Sequence, residues 1–136
     1  MNYDGSNTPS LHNQSIISQF TKQAVPYSKK HNLSNENELR QIVEITSGNI
    51  NDKVLDIACG SGIVSCAFAQ VTNHVTGIDL TPAMLAQAKK LQKQKGLSNI
   101  VWRIGDITKR LPFDNNSFSI VITRYSFPIC SIRYLY

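Results

Sequence analysis

The sequence predicts an α/β fold, an open parallel sheet with flanking helices, and three observations carry that prediction. Short apolar runs rich in β-branched residues alternate with longer stretches of helical spacing, the pattern of βαβ units. The first run, Val54-Leu55-Asp56-Ile57, leads directly into the small residues Ala58-Cys59-Gly60-Ser61-Gly62. A buried parallel strand followed by a turn without bulky side chains brings backbone close to a ligand at the strand's carboxyl end. Finally, three of the predicted strands end at an acid: Asp56, Asp79 and Asp106.

With 136 residues, 41% of them hydrophobic, the chain is sized for one domain with a core and is not a disordered polymer. Its net charge of +5 brings nucleic-acid binding into consideration. The basic residues are dispersed, however. Their densest group, Lys89, Lys90, Lys93 and Lys95, falls on one predicted helix with no aromatic residue among them. Such a group reads as a solvated helix face, and no nucleic-acid partner is expected. The cysteines, Cys59, Cys66 and Cys130, lack C-x-x-C spacing, so neither a disulfide framework nor a metal site is expected. No run approaches the roughly 18 apolar residues of a membrane span. Residues 1–10 are polar and lack the basic and apolar regions of a secretion signal. A reducing cytoplasm is the expected compartment.

Residues 1–14 are rich in Asn, Ser and Thr and are expected to be disordered. Residues 15–50 form an N-terminal helical segment. Within it, residues 15–27 carry Ile16, Ile17, Phe20, Val25 and Tyr27 as apolar points and read as a short helix ended by Pro26. Residues 35–46 read as a surface helix. Leu39, Ile42, Val43 and Thr46 share a face, Asn35 and Glu38 have capping-box spacing, and Gly48 is the expected residue just past its end. The first strand covers residues 53–57. The helix over 63–70 has small residues, Ser65, Ala67 and Ala69, that permit close packing on a sheet. A second strand covers 74–78. Thr81 as N-cap and Pro82 at the first helical position start the next helix, whose buried face carries Leu85, Ala88 and Leu91. That helix runs to about Lys95, with Gly96 as its stop. Residues 100–104 and 119–123 are the third and fourth strands.

A ligand of an open α/β sheet lies across the carboxyl ends of its strands, so the three acids are expected to face a shared crevice. Asp79 suits a pair of ribose hydroxyls. Asp106 suits an exocyclic adenine amine, with a neighbouring backbone N–H for a ring nitrogen. Asp56, beside the glycine loop, suits a positively charged ligand and would repel a pyrophosphate.

From residue 51 to 125 these motifs resemble the cofactor-binding half of class I S-adenosylmethionine-dependent methyltransferases. The likeness is greatest to the small-molecule group typified by ubiquinone/menaquinone C-methyltransferases. The family's acid-x-Gly-x-Gly-x-Gly motif corresponds to Asp56-Ile57-Ala58-Cys59-Gly60-Ser61-Gly62, with Ala58 replacing the first glycine. Its ribose acid corresponds to Asp79 in Thr76-Gly77-Ile78-Asp79-Leu80-Thr81, and its adenine-side acid to Asp106 in Gly105-Asp106-Ile107. Leu111-Pro112-Phe113-Asp114 followed by Ser117-Phe118 resembles the family's lead into strand four, with Ser119 where Asp is usual.

The resemblance implies a Rossmann-like open parallel sheet in strand order 3-2-1-4, the N-terminal part of a seven-stranded sheet. Residues 51–126 would be a partial cofactor-binding domain. The implied cofactor is S-adenosylmethionine. Asp56 and the loop of Ala58, Cys59, Gly60, Ser61 and Gly62 would hold its methionine part, Asp79 the ribose, and Gly105, Asp106 and Ile107 the adenine. Leu80 and Met84 either pack on the adenine or belong to the core. Thr123 lines the methyl-transfer site. The segment around Tyr27 either folds over the cofactor or makes ordinary packing. The implied reaction is methyl transfer to a small-molecule acceptor, with the protein contributing proximity and orientation. No catalytic base can be named. Cys59 has no base at a recognisable spacing and reads as a small loop residue.

Two other functions compete. A nicotinamide-dependent oxidoreductase needs G-x-G-x-x-G/A, but Ser65 stands in the third place and Asp56 would face the pyrophosphate. The other is a cofactor-binding fragment without turnover. It is suggested by residues 127–136, an apolar and aromatic tail where the family has a polar segment and an amphipathic helix. That departure is the pattern of a premature stop after a frameshift near Pro128. On this reading the acceptor pocket is not encoded, and strand four is an exposed edge open to self-association unless the tail or a partner covers it.

Overall fold

The computed structural model describes residues 13, 14, 17, 36–106 and 111–123, and the backbone of 130–133. In chain order the elements are α1 (Glu36–Thr46), β1 (Lys53–Ile57), α2 (Ile63–Ala69), β2 (His74–Asp79), α3 (Pro82–Gln94), β3 (Ile100–Ile104), β4 (Ile120–Thr123) and β5 (Cys130–Arg133). The sheet runs β3-β2-β1-β4-β5. Pairings among the first four strands are parallel, in the expected 3-2-1-4 order, and β5 is antiparallel to β4.

Strand alternation decides which residues make the core. The register sets Val54 beside Val75 and Ile120, and Val75 beside Ile100. This row of β-branched side chains lies on one face of the sheet. Ile42 of α1, Val64 and Phe68 of α2 and Leu91 of α3 pack into the same cluster. Full burial of side chains of this size contributes about 1.5–3 kcal/mol each. Two residues further along, the same face carries Asp56, Gly77, Trp102 and Ile122 side by side. On the opposite face Leu55, Thr76 and Ile78 are also buried, as the central strands of a parallel sheet require. There Phe113 and Phe118 meet edge to face with centroids 5.0 Å apart, and the Arg103 guanidinium of β3 lies 5.4 Å over the Phe113 ring.

Three end signals behave differently. Gly96, at φ +65°, stops α3 as expected, its N–H donating to the Lys93 carbonyl at 3.1 Å. After α1 it is Ser47, at φ +52°, that takes the left-handed conformation, not Gly48. Thr81 stands at the N-cap of α3 but makes no side-chain cap bond. Its own N–H is held by Asp79 Oδ1 at 2.9 Å, because an Asp two residues upstream forms a local turn. Asn13 and Gln14, within the stretch expected to be disordered, are helical. Asn35, Tyr27 and, apart from Ile17, the helix expected over 15–27 lie outside the described residues.

The end of the sheet requires a correction. β4 was expected to be an exposed edge unless the tail or a partner covered it, and the tail does: all four of its residues pair with β5, from Ile120 with Arg133 to Thr123 with Cys130. Self-association through an open β4 therefore loses its basis. The tail lacks helical periodicity but is apolar and partly β-branched, the composition of a short strand. Among the described residues no helix is long and apolar enough to cross a membrane.

Candidate functional site

The β1–α2 loop is shaped by three left-handed residues. Ala58, Gly60 and Gly62 adopt φ of +57°, +55° and +80°, a region that only glycine enters without steric strain. The alternate spacing of small residues in the sequence is thus a backbone requirement. A Cβ on Gly60 would meet nothing within 4 Å, so the backbone there borders open space. A Cβ on Gly62 would fall 2.7 Å from both Ala88 Cβ and Trp102 Cη2, and one on Gly77 would fall 2.6 Å from the Trp102 ring. The loop and β2 therefore rest on the indole of Trp102. Its Nε1 donates to Gln92 Oε1 of α3 at 2.7 Å. Sequence reasoning missed Trp102. The available signal was the chain's lone tryptophan on a strand expected to lie beside a glycine-bearing one.

Asp79 ties the loop to the second strand. Its Oδ2 accepts from the Gly60 N–H at 2.8 Å and its Oδ1 from the Thr81 N–H at 2.9 Å. Burial pushes this carboxyl above its usual value, against the opposing pull of N–H groups from Thr81, Gly60 and Leu80. Asp106 comes to the same rim. The Gly105 N–H donates to the Asp79 carbonyl at 3.1 Å, and a Cβ on Gly105 would strike Ile78 Cδ1 at 2.5 Å. Half-buried Asp106 accepts from Asn13 Nδ2 at 2.7 Å through its Oδ2.

Asp56 departs from the expectation that all three acids face the crevice. It is 1% exposed, and its Oδ2 accepts from Ser65 Oγ of α2 at 2.6 Å. Alternation explains the difference: two residues beyond Val54, Asp56 belongs to the helix-covered face. It still acts on the loop electrostatically. The Cys59 thiol is pushed well above its usual value by burial, then by Asp56 and by Asp79. A thiol held protonated in a negative field is a poor nucleophile, which fits its reading as a small loop residue. Cys66, in the core, is pushed up to about 11, chiefly by burial.

Among the remaining candidates, Ser61 is buried within the loop and Met84 is 2% exposed, while Leu80 is half-buried. Thr123 pairs with Ile57 and so stands at the same strand-end rim as the loop. Ile107 lies outside the described residues.

Taken together, these groups fit a nucleoside carrying a cationic tail. The loop offers open backbone at Gly60, Asp79 and Asp106 supply carboxylate acceptors, and two buried or half-buried carboxylates make the loop negative. A pyrophosphate in this loop would meet that field with the same sign.

A model of the methyltransferase domain matches residues 54–135 of the chain. The chain is 28% identical over 107 residues to the uncharacterized methyltransferase YcgJ of Bacillus subtilis, a match covering 79% of this chain and 42% of that protein. It is 33% identical over 94 residues to the demethylmenaquinone methyltransferase of Leptospira interrogans, covering 67% of this chain and 37% of the other. The crystal structure of YcgJ superposes with a TM-score of 0.61 over 67% of this chain and 38% of that one. A SAM-dependent methyltransferase from Thiobacillus denitrificans, solved with S-adenosyl-L-homocysteine, superposes with a TM-score of 0.60 over 86% of this chain and 44% of that one. At 21% identity that last likeness shows the fold alone. The chain spans less than half the length of each of these relatives.

Proposed function

This chain belongs to the methyltransferase-domain family, and from that premise we propose that its strand-end site binds S-adenosylmethionine in the service of methyl transfer to a small-molecule acceptor. One observation carries the reading: Asp79 Oδ2 holds the glycine loop by accepting from the Gly60 N–H at 2.8 Å, with a second carboxylate, Asp56, buried beneath the same loop. A loop fastened and surrounded by carboxylates suits a sulfonium and an ammonium group, and it opposes the pyrophosphate of a nicotinamide dinucleotide. The third fingerprint glycine of such an enzyme is also missing, since Ser65 stands there and donates to Asp56.

When bound, the cofactor supplies an electrophilic methyl group on sulfur. The protein's part is to bind and orient. Backbone of residues 58–62 would hold the methionine portion. Asp79 accepts from the ribose hydroxyls with the lone pairs left by Gly60 and Thr81. Asp106 would accept from the adenine amine, and the resemblance adds its chain neighbours Gly105 and Ile107 to the adenine side. Leu80 and Thr123 would border the bound molecule, whereas the burial of Met84 favours a core role. Asp56 works from beneath, bracing α2 through Ser65 and adding negative charge. Residues 51–126 form the cofactor-binding unit of this reading. Relatives named for demethylmenaquinone and ubiquinone-pathway methylation support a small-molecule acceptor, and the dispersed basic residues do not favour a nucleic acid. The described cysteines, Cys59 and Cys66, are free, which suits a cytoplasmic protein.

Calorimetry with S-adenosylmethionine and S-adenosylhomocysteine tests the proposal, with pH as a second axis. Binding is expected for the parent chain, weaker by about tenfold or more in Asp79→Asn, because a bond to a charged acceptor is lost. Ribose hydroxyls need the Asp79 carboxylate, so affinity falls as pH falls through its pKa. Burial raises that pKa above the usual 3.8, so the loss begins at higher pH than for an ordinary Asp, and Asp79→Asn lacks the step. Unliganded stability moves the opposite way, decreasing as pH rises from the unfolded pKa through the raised folded one. A folded chain that binds neither compound overturns the proposal, as does displacement of either by NADH.

A further inference from the structure

We propose that Asn13 is an internal rival of the cofactor: its carboxamide NH2 occupies the amine position on Asp106, and the adenine amine binds by displacing it. The inference rests on Asp106 being the adenine acid. The contact joins residues 93 apart in the chain, at 2.7 Å, a length typical of a strong bond to an ionised acceptor. Asn13 is only 7% exposed, while its neighbour Gln14 is exposed. Asn13 is thus covered, with its carboxamide on Asp106 just past the end of β3.

The chemistry of the two donors is the same. Each is a planar NH2 group presenting N–H to a carboxylate oxygen, and each needs space in front of Asp106. A carboxylate can accept from more than one donor, so the rivalry is for one face of Asp106. The Gly105 N–H, on the Asp79 carbonyl at 3.1 Å, sets that face at the strand ends. Cofactor entry then displaces the Asn13 carboxamide from Asp106, and binding strength reports the balance between the two donors.

Calorimetry with S-adenosylhomocysteine on the parent, Asn13→Ala, Asn13→Leu and Asp106→Asn chains tests this, beside thermal melts to confirm folding. Both Asn13 variants should bind about five- to tenfold tighter, the scale of one bond to a charged acceptor. Unchanged affinity in Asp106→Asn would sink the reading of Asp106 itself. If Asp106→Asn binds weakly but the Asn13 variants keep the parent's affinity, displacement is overturned; if they bind more weakly, it is overturned and Asn13 instead holds the ligand.

Discussion

At the scale of single residues, the β1–α2 loop separates two reasons for choosing glycine. Ala58, Gly60 and Gly62 share the left-handed conformation, but only Gly62 also lacks room for a Cβ. Gly60→Ala should therefore lose about 1 kcal/mol, the conformational cost alone. Gly62→Ala should lose about 3 kcal/mol, since it must also displace Ala88 or Trp102. Ala58→Gly should gain roughly 0.5 kcal/mol, because relief of left-handed strain exceeds the added chain entropy. Urea midpoints at constant m-value check this order. Equal losses for Gly60→Ala and Gly62→Ala would show that packing on Trp102 does not matter. The alternate small residues were legible in the sequence because the turn needs them locally. Trp102 was not, because its place under Gly62 and Gly77 depends on the register of three strands. Asp56 shows a missed local signal: alternation from Val54 already assigned it to the covered face.

Elements meet through polar groups that the sequence reading passed over. Ser119, where the resemblance implied an Asp, joins the starts of β1 and β4. Its Oγ donates to Asp52 Oδ1 at 2.8 Å and accepts from the Lys53 N–H at 3.0 Å. The Asp52 carboxylate is 3% exposed and also accepts from the Asn49 N–H at 2.8 Å. The acid at this junction is thus supplied from the β1 side, and a serine opposite it provides the donor. Ser119→Asp would set a second carboxylate against a buried one. It should lose about 2–3 kcal/mol, and Asp52→Asn should restore most of that loss in the double variant, as the cycle of four unfolding free energies will show. Additive losses would mean the two side chains are not coupled. Asn99 acts similarly at the end of α2, its Nδ2 donating to the carbonyls of Ala69 and Thr72 at 2.9 and 3.1 Å. Helix-end carbonyls need such donors, but which side chain supplies them depends on tertiary placement. The elements themselves were legible from hydrophobic period, nearly to the residue.

Across the whole molecule, the order of the four parallel strands was legible from motif order, and the closure of the sheet was not. Residues 130–133 contain too short a run to declare themselves as a strand. Only the pairing reveals their role, since β5 matches β4 residue for residue. Open strands template association with other chains, so β5 covers the edge that β4 would otherwise present and leaves β3 and β5 as the sheet's margins. Prolines at Ser131 and Ile132 test this directly. These neighbours pair with Ile122 and Val121, and in an antiparallel ladder alternate residues direct their N–H groups toward the partner strand. Replacing both removes the donor whichever of them faces β4, at a cost of about 3 kcal/mol. The double variant should melt at lower temperature and, in size-exclusion chromatography with light scattering, form larger species than the parent in proportion to concentration. An unchanged elution profile alongside the lower melting temperature would show that β5 adds stability without guarding the edge. If neither changes, β5 does not hold β4 in solution.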